Sequence, residues 1–443
     1  MKYVIKGPNT ASGEVVISGA KNFSIKALAL SLLQDGVMEY HNVPNNIDVF
    51  KTNEMLRALG AKVEFDAQKK YARVEASSIV NVLEDDTHAN MMVFLIGASL
   101  IHKYDYVRFP KMNKGCPLGK RADDFHIMAF ENFGVSSLES ENEYVFKKEF
   151  PLVGCDIVLP YPSVGATETA IFLAAKANGM TRIFNAAIEP EVQALVTALI
   201  TMGANIFFVG DREIVVHGVE KLHSVRVDIH GDYLEAASWA IMAAATDGEI
   251  VVRGVVPELI GAFLGIFNMM GGSVKRLGDD VLKFSRARNF IRPERTMVLE
   301  TGVFPKLRTD LQPLLAVLAG VHNIKTIVHD TVYNDRVRYV ETFRQFGLRA
   351  DGSHDCFDNK CRFHESSGTK SMHSALIDGL DGELVAPSNV LVPTTIRSGM
   401  AEIILAAAAC GITVIDKVEV IERGYCDLFN KLVQIGINIT TLE

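Results

Sequence analysis

The sequence predicts an α/β protein of two domains, each assembled from three copies of a β-α-β-α-β unit of about 70 residues. Three observations carry that prediction. A helix–glycine–strand phrase recurs six times at nearly constant spacing. A second phrase accompanies it, in which a strand ends in a small polar turn, an Ala/Leu-rich helix follows, and a further strand comes next. The helices of this second phrase are apolar on every side, which is the pattern of helices buried all round rather than on one stripe.

The first phrase reads EMLRALGAKVEF around Gly60, AFENFGVSS around Gly134 and ALITMGANIFF around Gly203. It continues as FNMMGGSVK at Gly272, FRQFGLRA at Gly347 and LVQIGINIT at Gly436. The intervals are 74, 69, 69, 75 and 89 residues. A glycine just past a helix is expected as its left-handed cap, because it has no Cβ to clash there. The second phrase appears as GEVVISGAKN leading to a helix through Leu33, then VMEYHNV, and as CDIVLPYPSVGA leading to a helix through Ala177, then TRIFNAA. It is visible again in ATDGEIVVRGV near Ile250 and ACGITVIDKV near Ile412. The third unit ends near Val216, so six units divide into two sets of three. The long last interval marks an insertion near Asp351–Ser374.

Composition narrows the function classes. The 443 residues are 48% hydrophobic and 22% charged, which excludes a disordered chain. A net charge of −8 leaves no general basic field for nucleic acid, so an anionic ligand needs a local basic pocket. The N-terminal MKYVIKGPNTASGEV shows no signal-peptide pattern. The most apolar stretch, Ile403–Ile415, falls short of the roughly 18 residues of a membrane span. Six cysteines make no disulfide framework, so a cytoplasmic protein is expected.

Some charges sit where helix physics disfavours them. Lys21, Arg121 and Arg397 each follow a short turn and precede a helix. A helix N-terminus carries about half a positive charge and unpaired N–H groups, so a cation there is unfavourable unless an anion binds. Asp310, in RTDLQ, also stands at a predicted helix start, where it fits either a cap or a carboxylate base kept ionised by nearby cations. Cys116, in KGCPLGKRADDFH, lies on a turn-rich loop among Lys114, Lys120 and Arg121. It is either an incidental thiol or a proton donor, since an unperturbed thiol of pKa about 8.5 is mostly protonated at neutral pH. His354, Cys356, Cys361 and His364 in the insertion have metal-ligand chemistry without finger spacing, and a polar hairpin without metal is expected.

The stretches SGAKN at Ser18–Asn22, GCPLGKRADDFH at Gly115–His126, SVGAT at Ser163–Thr167, RTDLQ at Arg308–Gln312 and ERGY at Glu422–Tyr425 resemble the enolpyruvyl transferase family. The likeness spans nearly the whole chain. The cysteine loop resembles the branch acting on UDP-N-acetylglucosamine in peptidoglycan precursor synthesis, and is missing from the shikimate-pathway branch. The resemblance implies two inside-out α/β barrel domains, 22–230 and 1–21 with 231–443, with the active site in the cleft between them. It implies transfer of the enolpyruvyl group of phosphoenolpyruvate to the sugar 3′-hydroxyl by addition and elimination, with release of phosphate and no cofactor or metal.

By resemblance, Cys116 is the acid that protonates the methylene carbon and the residue alkylated by fosfomycin. Asp310 is the base. Lys21, Arg121, Arg336, Arg397 and Arg423 line the site. Asn22 lies near the reacting sugar. The run from Arg121 to His126, including Asp124 and Phe125, binds nucleotide together with Ser163, Val164 and Gly165. The chain departs from the family pattern in several places. Thr87–Met91 lacks the usual arginine, Tyr161 replaces a lysine, Thr395 an acid and Ile47 a lysine, and Ala122 and Asp123 replace a proline and a valine. These departures allow another uridine nucleotide, such as UMP, as acceptor. A non-catalytic nucleotide-binding regulator is the third possibility.

Overall fold

The computed structural model describes residues 1–84, 90–111, 123–353 and 372–442. The chain forms two compact units. One contains Met1–Ser18 and the described residues from His230 onward, and the other the described residues from Gly19 to Ile229. Each has its own apolar core and three β-sheets.

One long helix per repeat lies against the sheets. In the second unit these are α1 (Lys21–Ala29), α2 (Met92–Leu100) and α3 (Val164–Ala174). In the first unit they are α4 (Tyr233–Ala245), α5 (Gln312–Val321) and α6 (Ile396–Ala408). Every residue of α2 and α4 is buried, as are Ala166–Ala174 of α3 and Arg397–Ala407 of α6. This is the expected all-round burial, with sheets outside and helices inside. Only α1 is buried on a stripe, through Phe23, Ser24, Ala27, Leu28 and Ala29. Each fully buried Leu or Ile contributes about 1.5–3 kcal/mol of transfer free energy, so these helices anchor both cores.

The repeat has one more strand than the sequence phrase contained. In the third repeat the order is Asp156–Val158, α3, Met180–Phe184, the helix Pro190–Thr201, then a hairpin of Asn205–Val209 and Glu213–His217. The first two strands pair in parallel, and the hairpin's return strand inserts beside the second. The unit is therefore β-α-β-α-β-β. Among the six glycines, 60, 134, 203, 347 and 436 have positive φ, as a left-handed cap requires. In the fourth repeat the cap is Gly271 (φ 89°), not Gly272. Gly272 begins a strand, where a Cβ would lie 2.3 Å from the Phe267 ring.

The first strand of repeat one lies in the unit of the later repeats. Ser12–Val16 pairs in parallel with Glu249–Arg253, inside the first unit. Its place beside Val37–His41 is taken by Arg226–Asp228. Ser18 closes the N-terminal strand pair. Its N–H donates to Glu235 Oε2 (2.9 Å), its hydroxyl accepts from Lys431 Nζ (3.0 Å), and its carbonyl accepts from Asp232 N–H (2.8 Å). Lys21, three residues on, therefore follows a fixed point. Among the described residues no helix is long and apolar enough to cross a membrane.

Candidate functional site

In the first unit, the turn segment 331–339 meets the start of α5 through Arg336–Asp310 and Tyr339–Gln312, and Asp310 acts electrostatically on Arg397 at the start of α6. Thr395, in extended conformation, caps α6 by accepting from Ser398 N–H (3.3 Å), which sets Arg397 in the first turn. The Arg397 guanidinium carbon lies 4.8 Å from the Tyr425 ring centroid, and the Tyr425 hydroxyl is 2.6 Å from Ser238 Oγ on α4. Asp232 caps α4 through Leu234 N–H (2.9 Å) and Glu235 N–H (3.2 Å). Burial disfavours the charge of Arg397, but Tyr425, Asp232 and Asp310 more than offset it, so its pKa is raised. Burial pushes the Asp232 carboxyl above its ordinary range, although Arg397 opposes that shift.

Arg336 is buried, and its Nη2 donates to Asp310 Oδ1 at 3.0 Å. Asp310 lies within the short turn Thr309–Leu311, whose cap position is Arg308. Asp310 thus pairs with Arg336, which fits the carboxylate-beside-cations alternative. Both partners hang on Asp330, which is fully buried. Asp330 accepts from the Thr309 hydroxyl on one side and from Val332 and Tyr333 N–H (2.8 Å each) on the other. Arg423, half-buried, follows the short helix Glu419–Glu422.

The informative feature is what these cations do not bond. Arg336 Nε and Nη1 and Arg397 Nη1 are buried and have no hydrogen-bond partner among the described residues. A buried donor without a partner costs about 1–3 kcal/mol, and more when charged. Both guanidinium groups neighbour Asp310, and their unbonded N–H groups fit an anion with several acceptor oxygens, such as a phosphate or carboxylate.

The second unit holds the other expected residues. Lys21 is the first residue of α1, and its Nζ lies 3.1 Å from Asp48 Oδ2. A carboxylate of the protein itself thus faces the lysine at this helix start. Asp48 is itself placed by the Asn46 cap of the helix Ile47–Ala58. Asn22 Nδ2 donates to Glu191 Oε1 (3.4 Å). His126 is buried, with Nδ1 2.8 Å from Thr169 Oγ1 and its ring stacked 4.4 Å from Phe94. Gly165 faces that ring so closely that a Cβ would lie 2.7 Å from it. Ser163 caps α3 by accepting from Ala166 N–H (3.4 Å), and Val164 is its first residue. On the helix Asp124–Asn132, Asp124 is exposed and Phe125 half-buried.

Cys116 and Arg121 lie outside the described residues, as do His354, Cys356, Cys361 and His364. Among the described residues no group of three or more His, Cys, Asp or Glu could hold a metal ion. Sequence reasoning gave no role to Asp232, Asp330 or the Tyr425 ring. Asp232 was findable, since Gly231-Asp232 before an apolar helix is a cap signal. Asp330 was findable only in part: its bonds from Val332 and Tyr333 N–H form a local turn, but its Thr309 partner is 21 residues away.

Comparisons with known proteins follow the same lines. A family model described as EPSP synthase (3-phosphoshikimate 1-carboxyvinyltransferase) matches residues 5–432. The UDP-N-acetylglucosamine 1-carboxyvinyltransferase of Protochlamydia amoebophila is 32% identical over 447 residues, covering 99% of this chain and 94% of that one. The UDP-N-acetylglucosamine 1-carboxyvinyltransferase 2 of Caldanaerobacter subterraneus is 31% identical over 447 residues, covering 100% and 99%. Among solved structures, the enolpyruvyl transferase NikO from Streptomyces tendae superposes with a TM-score of 0.85 at 22% identity, covering 99% and 98% of the two chains. EPSP synthase from Acinetobacter baumannii gives 0.72 at 14% identity, with full coverage of both. These two structures show the shared fold.

Proposed function

The chain belongs to the EPSP synthase family of enolpyruvyl transferases, and from that premise we propose that it transfers the enolpyruvyl group of phosphoenolpyruvate to the 3′-hydroxyl of UDP-N-acetylglucosamine, releasing phosphate. This is the activity named for its full-length relatives. The observation that carries the proposal to this chain is the set of unpartnered N–H groups on Arg336 and Arg397 beside the Asp310 carboxylate. Phosphoenolpyruvate carries a phosphate and a carboxylate, and each charge-assisted bond to them is worth about 1.5–3 kcal/mol.

In the mechanism, Asp310 takes the proton of the sugar hydroxyl, and the oxygen forms a bond to the central carbon of phosphoenolpyruvate. The methylene carbon gains a proton, from Cys116 on the family pattern. The resulting tetrahedral adduct loses a methyl proton and phosphate, which regenerates the double bond as an enol ether. Arg336 and Arg397 hold the departing charge throughout, since both are held in place before substrate arrives. Lys21 and Arg423 supply further positive charge. His126, Ser163, Val164 and Gly165 form a nucleotide-binding wall, and Asn22 contacts the reacting sugar. The reaction takes place in the cytoplasm, and none of its steps calls for a cofactor.

Phosphate release measured with phosphoenolpyruvate and UDP-N-acetylglucosamine tests it, with UMP and no acceptor as parallel arms. Acceptor-dependent release with the sugar nucleotide supports the proposal. Release with UMP alone moves the chain to a different acceptor, and silence in every arm favours a binding role.

A further inference from the structure

On α1, Asn22 and Lys26 are one turn apart and share a face. That face is docked on carboxylates of two other helices. Lys26 Nζ lies 2.6 Å from Glu168 Oε1 on α3, and Asn22 Nδ2 donates to Glu191 Oε1 at the start of the helix Pro190–Thr201. Glu168, Glu189 and Glu191 are all buried. Burial is the main reason the Glu168 carboxyl is pushed up to about 7. Lys26 pulls it down, and the charges of Glu191 and Glu189 push it up. Glu191 stands in the first turn of its helix, where the N-terminal field favours a negative charge.

An ionised carboxylate only accepts hydrogen bonds, whereas a carboxamide has a donating end and an accepting end. Glu191 therefore decides which way the Asn22 amide points. Its NH2 must face Glu191, and Oδ1 must face the other way. A lone Asn half-buried at a helix start has no such constraint, and a flipped amide would present a donor where an acceptor is wanted. The Lys26–Glu168 pair fixes the same face one turn further on.

We infer that Glu191 is a positioning residue of the transfer reaction: it holds the Asn22 carboxamide with its oxygen presented to the acceptor hydroxyl, orienting that hydroxyl for attack. The inference rests on the proposed function, in which Asn22 contacts the reacting sugar.

The test is a double-mutant cycle on the full chain with Glu191→Gln, Asn22→Ala and the pair, read by kcat/KM for each substrate. Glu191→Gln keeps the volume but loses the obligatory acceptor. In the otherwise unaltered chain it lowers kcat/KM for UDP-N-acetylglucosamine about 10- to 100-fold, while the KM for phosphoenolpyruvate stays within about twofold. In the Asn22→Ala background it costs less than about twofold. Equal losses in both backgrounds, a parallel rise in the KM for phosphoenolpyruvate, or no loss at all each overturn the inference. Thermal melts check folding, and Glu191→Leu, which removes the acceptor with an apolar chain suited to a buried position, repeats the cycle if the Gln variant does not fold. An unaltered chain without transfer activity sinks the proposed function and this inference together. Activity with an additive cycle sinks only this inference.

Discussion

Replacing Arg336 by methionine separates binding from folding, because the side chain is placed for a ligand at the expense of the empty protein. Its guanidinium is buried, one nitrogen pairs with Asp310 at 3.0 Å, and two nitrogens have no partner among the described residues. Two charge-assisted contacts to phosphoenolpyruvate at about 1.5–3 kcal/mol each come to about 3–6 kcal/mol, or roughly 10²- to 10⁴-fold in kcat/KM. The folded state without ligand responds differently. The substitution gives up the Asp310 pair, but Asp310 is 27% exposed and keeps water. It also removes a buried charge with two unbonded N–H donors, and the desolvation cost that it relieves offsets the lost pair. Thermal stability is therefore expected to stay within about 1 kcal/mol, a shift of roughly 2–4 °C for units of this size. Steady-state kinetics with varied phosphoenolpyruvate, beside a calorimetric melt, read both quantities. Unchanged kinetics with a melt lowered by 10 °C or so would refute the reasoning, because Arg336 would then be a structural residue.

Three further substitutions probe other parts of the account. Asp310→Asn lowers kcat at least about 100-fold while phosphoenolpyruvate binding, followed by titration calorimetry, changes only a few-fold; an unaltered kcat removes Asp310 as the base. Gly165→Ala drives a methyl into the His126 ring, which is buried, stacked on Phe94 and within hydrogen-bond distance of Thr169. It should destabilise by about 1–3 kcal/mol in urea melts and weaken uridine-nucleotide binding, and wild-type values of both would contradict the packing described. Glu402, buried on α6, has its carboxyl pushed up to about 8 by burial, against the smaller effect of the Thr342 hydroxyl. That value lies above the ordinary 4.5, so the folded chain holds the extra proton and loses stability as pH rises from about 4.5 to 8. Glu402→Gln should then match the unaltered chain at pH about 5 and exceed it by up to about 4 kcal/mol at pH about 9; equal differences at both pH values would contradict this sign.

The repeat architecture was legible because each unit carries its own punctuation. Five of the six phrase-ending glycines have the backbone that only glycine adopts cheaply. Tandem glycines at 271 and 272 hid which of the two caps the helix, since sequence gives both the same freedom and only the Phe267 ring distinguishes them. The repeat pattern did not place Ser12–Val16, for a different reason; only the family resemblance put residues 1–21 with 231–443. A strand's partner is chosen by the sheet it completes, and Glu249–Arg253 is more than 230 residues away. The cations at the starts of α1 and α6 stood out because helix electrostatics disfavours them. Arg336 did not, because it lies in a turn segment without periodicity, and only the family resemblance pointed to it. Glu191 meets Asn22 across 169 residues, and no local pattern records that, whereas the bonds of Asp330 to Val332 and Tyr333 N–H are a local turn.

The central claim is enolpyruvyl transfer by addition and elimination, and the most direct measurement is the product itself. The protein is incubated with phosphoenolpyruvate and UDP-N-acetylglucosamine in deuterated water, and the sugar nucleotide is recovered and examined by NMR. The account predicts an enol ether on the 3′-oxygen with deuterium in its vinyl methylene, since that carbon passes through a methyl group. A sugar nucleotide returned unmodified, or an enol ether with no deuterium, would contradict it.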